Sequence, residues 1–265
     1  MALYDRDYNN NTIDTGYATD IASTSVTFMK KTYQLLGASM ISAALGAYLT
    51  MPYVETISQL KWFIFGFVML MVFFGFNATR KNPTLHLTAL FIFTFALGVM
   101  LVPLLAMVIG QGNGALIGNA FLMTSVLFGA LSLFAINSKS DFSSWGKPLF
   151  ITMIIVIIAS LVNYFLLHSP IMHVVITAGI LLIFSLFTIY DTQNIANGAY
   201  DSPIDAAVSL FLDFFNMFTS IYNYWESWVT TKYLLRRKYL LSTQNNTTYL
   251  SKQPITLTKR TSNSK

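Results

Sequence analysis

Long apolar runs alternate with short polar breaks along most of this chain. A helix needs about 20 apolar residues to cross a hydrocarbon core of roughly 30 Å. Measured against that length, the runs predict seven spans, at about 33–49, 62–78, 85–109, 115–136, 149–167, 171–191 and 204–225. Met51-Pro52 ends the first, Arg80 and Lys81 close the second, the glycine-rich segment 110–114 separates the third from the fourth, and His168-Ser169-Pro170 turns the fifth into the sixth. Pro103 falls inside the third, where a kink is expected and tolerated in a membrane bundle. A transmembrane barrel would show alternating segments of about ten residues instead of continuous runs. The expected fold class is therefore all-α: a polytopic membrane protein built as a seven-transmembrane-helix bundle. A polar cytoplasmic tail (1–31) would precede the membrane domain (32–225), and a basic tail (226–265) would follow it. The polar stretch at the start carries no cleavable signal, so the first span is expected to stay as an anchor.

Composition sharpens this picture. Hydrophobic residues make up 54% of the chain and charged residues 10%, against about 25% charged in a soluble domain. There is no cysteine, which excludes disulfides, zinc-thiolate sites and a cysteine nucleophile. Lys30 and Lys31, Arg80 and Lys81, and Lys139 and Lys147 fall on one side if the N-terminus is cytoplasmic. Seven full crossings would then put the basic C-terminal tail outside, against the same rule. Either the tail does lie outside, or the seventh segment enters and returns without crossing.

Of the eleven acidic residues, all but Asp191 and Asp213 sit in tails, in loops or at the first residues of a span. Asp213 lies near the middle of the seventh span, where a charge costs about 2.5–3.5 kcal/mol on insertion scales and marks a candidate functional group. Asp191 lies at the inner end of the sixth span. Counted from the connecting loop at 1.5 Å per residue, the two depths differ by about 6 Å, a gap that tilt and side-chain reach can close. Two touching carboxylates cannot both ionise cheaply, so such a pair can share a proton, bind a cation or do acid–base chemistry. Asn194 and Asn216 each follow an aspartate by three residues, on the same helical face, and are candidate donors to the carboxylates. Arg80, at the inner end of the second span, lies at a depth matching Asp191 and is a candidate latch on it. His86 and His173 are not joined by any metal-ligand spacing and are expected to be satisfied core histidines.

The segment Phe184-Ser185-Leu186-Phe187-Thr188-Ile189-Tyr190-Asp191-Thr192-Gln193-Asn194-Ile195 resembles the sixth-helix signature of the Bax inhibitor-1 family. The segment from Ala207 through Asp213 to Phe218 resembles its seventh, and Asp141-Phe142-Ser143-Ser144-Trp145-Gly146 is similar to its Asp-x-Ser connector. The polar N-terminus resembles those of bacterial members. The resemblance implies a seven-helix bundle with the seventh helix central. It also implies a pH-sensitive calcium leak, with the aspartates at 191 and 213 as sensor and possible calcium ligands and Arg80 as the latch. Bacterial members are linked to modulation of a membrane-bound AAA protease. The implied location is the bacterial inner membrane, or the ER membrane for a eukaryotic protein. One departure stands out: the second span carries no glutamate, where some members have one, so a calcium path here would offer fewer of the six to eight oxygens the ion takes.

The leading expectation is a pH-sensitive calcium-leak channel. The alternative is a non-conducting membrane regulator that binds a membrane protease or other partner. An intramembrane aspartyl protease is disfavoured, because Phe211-Leu212 stand where Gly-x-Gly would precede the second aspartate, and no enzyme activity is expected. Beyond calcium no cofactor is expected. The expected partners are lipid and such a protease, with no nucleic acid, and the expected state is a monomer.

Overall fold

The helix ends follow from local chemistry. Thr50 folds its hydroxyl back onto Gly46 O at 2.6 Å, and Pro52, which lacks an amide proton, breaks the ladder there. Asn82 caps the next long helix by accepting from the amides of Thr84 and Leu85, with Pro83 at the first helical position, where its missing N–H costs nothing. Ser169 and Pro170 repeat that arrangement further on. The computed structural model describes the backbone from Tyr8 to Trp225 and the side chains from Ser25 onward. The basic tail expected at 226–265, and the side chains of the tail before Ser25, lie outside the described residues.

Helix α1 spans Tyr8–Thr50, beginning well before the expected span, since no proline interrupts that stretch. A single 3₁₀ turn, Met51–Tyr53, leads into α2 at Val54–Leu70. A π-helical turn at Met71–Gly75 and a last turn at Phe76–Thr79 carry α2 on. Then come α3 (Pro83–Gly110), α4 (Ala115–Asn137), and α5 (Gly146–Val162, continued by a π turn at Asn163–Leu167). Helices α6 (Pro170–Ala196) and α7 (Pro203–Trp225) complete the order. Pro103 sits inside a continuous α3. No strand occurs among the described residues. Six helical runs are long and apolar enough to cross a membrane. The first two expected spans count as one of these, Ser25–Thr79, because only the short turn at Pro52 separates them.

Two glycines let α1 and α3 meet backbone to backbone. A Cβ on Gly46 would run into Phe95 O, and one on Gly98 into Ala43 O. Close contact through small residues is how helices associate in lipid, where apolar burial alone gives no preference for a neighbour over an acyl chain. Ser42 ties the same crossing by donating to Phe91 O at 3.0 Å.

Helix α7 is the most buried span, with 56% of its membrane window inside the protein against 39% for α3 and 11% for α5. Ala206, Ala207, Leu210 and Met217 are fully buried on it, and Phe214 packs edge-on against Phe121 and Phe128 of α4. Helix α5 is the opposite case. Phe150, Ile151, Ile154, Ile155, Ile158 and Leu161 are all exposed, an apolar surface that water would not tolerate and that a bilayer covers.

Candidate functional site

Asp213 is buried on α7 at 3% exposure and Asp191 on α6 at 7%. A contact between the helices fixes their relative height. Thr188 Oγ1 lies 3.4 Å from Met217 Sδ. Asp191 is three residues nearer the connecting loop than Thr188, and Asp213 is four nearer it than Met217. At 1.5 Å per residue these are rises of about 4.5 and 6 Å, so the carboxylates stand at nearly one depth. Asp213 Oδ2 is buried without a hydrogen-bond partner, an expensive state for a carboxylate oxygen away from water.

The partner of Asp191 comes from the loop that joins α6 to α7. Gly198, at φ +71°, takes the left-handed conformation that ends a helix at little cost with glycine. Its amide bonds Ile195 O, and the Ala199 amide bonds Asn194 O at 2.8 Å. The chain turned this way brings Tyr200 back over α6, and its hydroxyl donates to Asp191 Oδ1 at 3.0 Å. Burial first, then the neighbouring Asp191, push the Tyr200 phenol well above its usual range. It therefore stays a phenol and acts toward Asp191 as a donor.

Contrary to the expectation from its depth in the sequence, Arg80 does not pair with Asp191. Its guanidinium lies 3.1 Å from Asp205 Oδ2 and 3.9 Å from Asp201 Oδ2. The reason is where the loop delivers charge. Asp201 precedes α7 and Asp205 lies in its first turn, beside the end of α2, while Asp191 is covered by Tyr200. A carboxylate in a first turn is also favoured by the helix dipole. The contact to Asp205 Oδ2 is an ion pair without hydrogen-bond alignment, since that oxygen has no hydrogen-bond partner. Asp205 Oδ1 stands 3.1 Å from His86 Nε2, and His86 Nδ1 is 3.0 Å from Thr79 Oγ1. Because an ionised carboxylate only accepts, Nε2 carries the proton. His86 is thus the satisfied core histidine expected, while His173 is exposed.

Neither asparagine reaches a carboxylate among the described residues. Asn216 donates to Leu212 O within its own helix at 2.7 Å. For Asn194, the backbone carbonyl takes part in the helix-ending turn. Another polar side chain does organise this end of α6. Gln193 accepts from the Phe142 amide at 2.6 Å and donates to Ser140 O at 2.7 Å, which holds the connector between α4 and α5 two residues from Asp191. In that connector the Ser143 amide and hydroxyl hold the Asp141 carboxyl below its usual range.

A polar cavity of about 530 Å³ opens between the end of α2 and the start of α7, walled by Asn77, Arg80, Tyr200, Asp205 and Ser209 and by Phe73 of the π turn. Among the described residues no three His, Cys, Asp or Glu side chains converge as metal ligands. Two carboxylates and a phenol fall short of the six to eight oxygens of a resident calcium ion. They suit a proton, or a cation in passage that keeps much of its water.

Residues 25–227 match the family model described as Inhibitor of apoptosis-promoting Bax1. The chain belongs to this family. An uncharacterized protein of Helicobacter pylori strain 26695 is 45% identical over 224 residues, covering 83% of this chain and 95% of that one. An uncharacterized membrane protein of Vibrio cholerae is 33% identical over 194 residues, 73% of this chain and 86% of its own length. Escherichia coli K12 has a relative named Modulator of FtsH protease YccA, 33% identical over 143 residues, which cover 54% of this chain and 64% of that protein. Its counterpart in Escherichia coli O6:H1 is named an inner membrane protein. This Bax1-I family chain is an integral membrane protein of the bacterial inner membrane. Tyr200, Asp201, Asp205 and Gln193 carry its polar geometry and were not singled out from the sequence. Asp201 and Asp205, flanking Pro203 at a helix start, were the signal available for the charge cluster.

Proposed function

We propose that this Bax1-I family protein is a pH-sensitive calcium leak whose sensor is the Asp191–Asp213 pair. The observation that carries the proposal is the buried pair itself, two carboxylates at one depth with Asp213 Oδ2 unpartnered. An isolated carboxylate in a membrane span is expensive, and two together respond to the arrival of a proton or a cation. On this reading Ser25–Thr79 crosses twice. At 1.5 Å per residue its 55 residues would reach roughly 80 Å as one rod, far beyond the roughly 30 Å core. Pro52 then marks the outer turn, the bundle has seven crossings, and the N-terminus, the Arg80 end of α2 and the α6–α7 loop face the cytoplasm. Arg80 ties the rim of the inner end together through Asp205 and Asp201. No step of this function calls for catalysis.

Calcium flux into proteoliposomes, measured from about pH 5 to 8, a window in which an ordinary carboxylate stays ionised, tests the proposal. A pH-dependent leak in the wild type that is abolished in Asp213→Asn is the expected result. Equal flux in both proteins, or none in a folded wild type, removes the channel.

A second reading is a membrane regulator of a protease without transport of its own. The name of the Escherichia coli relative favours it. Co-purification of a membrane-bound protease that survives Asp191→Asn and Asp213→Asn would support that role in place of the leak.

A further inference from the structure

The polar cavity and the aspartate pair are adjacent but separate. Arg80, Asp205, Ser209 and Tyr200 wall the cavity, and neither Asp191 nor Asp213 belongs to its lining. Both aspartates are buried. Tyr200 belongs to both places: its ring forms part of the cavity wall, and its hydroxyl is bonded to Asp191 Oδ1. Arg80 touches only the far side, through Asp201 and Asp205.

The backbone around Tyr200 is tied down. The turn at Gly198 is closed by bonds from the Gly198 and Ala199 amides to Ile195 and Asn194. Three residues after Tyr200, Pro203 starts α7, and Ser202 caps that start by accepting from the Ile204 amide at 3.1 Å. A segment pinned at both ends can expose what lies beneath it by rotating one side chain, without moving a helix.

We propose that Tyr200 is the inner gate of the aspartate pair: its ring separates the carboxylates from the cavity, and its bond to Asp191 holds the ring shut. The ligands it admits are protons and hydrated small cations arriving through the cavity. Swinging the ring outward breaks the hydroxyl's bond to Asp191, together with its contact to Ser209, and joins the cavity to Asp191 and, behind it, to the unpartnered oxygen of Asp213. The π turn at Met71–Gly75 contributes Phe73 to the facing wall, and such turns inside helices recur at functional sites. The gate rests on the reading that protons or cations act at this pair, yet its test needs no transport.

The full chain is reconstituted in lipid nanodiscs and treated with a water-soluble carbodiimide and glycinamide. Adducts at Asp191 and Asp213 are quantified by peptide mass spectrometry in wild type, Tyr200→Ala, Tyr200→Phe and Arg80→Gln. Labelling is expected to rise at least roughly tenfold in Tyr200→Ala, the change that ~1.4 kcal/mol makes in an equilibrium, and to stay within about twofold of wild type in Arg80→Gln. Tyr200→Phe keeps the ring and loses only the hydroxyl with its bonds to Asp191 and Ser209, so its labelling falls between wild type and Tyr200→Ala. It also stands as the test if the alanine variant fails to fold. Labelling of Tyr200→Phe equal to wild type, or of Tyr200→Ala no faster than wild type, overturns the gate. So does Arg80→Gln labelling faster than Tyr200→Ala, which would give the closure to the ion pair. Gated labelling without calcium flux keeps the gate and removes the leak. Flux without gated labelling does the reverse.

Discussion

Removing Asp205 should destabilise the protein mainly through His86, not through Arg80. Replacing Asp205 by alanine strips two partners at once. The Arg80 side chain is 53% exposed and can turn to water, and ion pairs of that kind contribute about 0–1 kcal/mol. The His86 side chain is 3% exposed. Its Nε2 proton has no route to solvent, and a buried donor left unsatisfied costs about 1–3 kcal/mol. Asp205→Ala should therefore cost about 1–3 kcal/mol, which on the scale of about 2–4 °C per kcal/mol for a chain of this size lowers the melting temperature by roughly 2–12 °C. Arg80→Ala should stay within about 1 kcal/mol of wild type. Thermal unfolding of detergent-purified protein, followed by tryptophan emission, checks both. A double-mutant cycle with His86→Phe separates the partners, because the loss on removing Asp205 should shrink once the imidazole is gone. If Arg80→Ala proves as damaging as Asp205→Ala, while the cycle with His86 shows no coupling, the reasoning fails.

Two further outcomes follow from the same geometry. Gly98→Val would place a side chain against Ala43 O, where the obstacle is backbone and cannot rotate away, so the α1–α3 crossing must open at a cost of about 1–3 kcal/mol or more. A melting temperature unchanged in that variant would contradict the close approach. Burial and the Asp191 charge raise the Tyr200 phenol above its usual range, so the folded protein holds this proton longer than the unfolded chain does. The stability linked to Tyr200 is thus complete below the unfolded value of about 10 and is lost as pH climbs past it. In an alkaline absorbance titration, Tyr200→Phe should remove one of the 14 tyrosines from the fraction that is still protonated near pH 11, about one unit past the ordinary value. Loss from the fraction that titrates normally would show the phenol to be exposed.

What was legible in the sequence and what was not divides along a physical line. The helices were, because lipid demands long uninterrupted apolar runs and prolines and glycines mark where they stop. Thus α3, α4 and α6 lie within a few residues of their expected limits. Asp213 was legible for the same reason, since a carboxylate in an apolar run is conspicuous. Tyr200 and Asp205 were not. They sit at the polar end of the bundle, where tyrosine and aspartate are unremarkable, and their importance depends on how a loop of a few residues folds back over α6. That turn hinges on Gly198 taking a positive φ, and a glycine in a loop does not announce which way it turns. Asn194 and Asn216 failed for a related reason. Spacing places a side chain on a face but does not decide between a carboxylate on that face and a carbonyl of its own helix, and Asn216 took the carbonyl.

The exchange of partners between Arg80 and Asp191 changes how closure at this end of the bundle is organised. Had Arg80 reached Asp191, one ion pair would both neutralise the buried charge and hold the helices together, and any event at the pair would release both. Here those tasks fall to different groups. Arg80, Asp205, Asp201 and His86 join α2, α3 and the start of α7 at the rim, while Tyr200 covers Asp191 with a neutral hydrogen bond. A neutral donor satisfies one carboxylate oxygen without cancelling its charge. On the function proposed above, the pair beneath it therefore keeps its mutual repulsion and its affinity for a proton or a cation. With Tyr200 as the proposed gate, the rim can stay latched while the pair responds, because a side chain, and not a helix, stands between them.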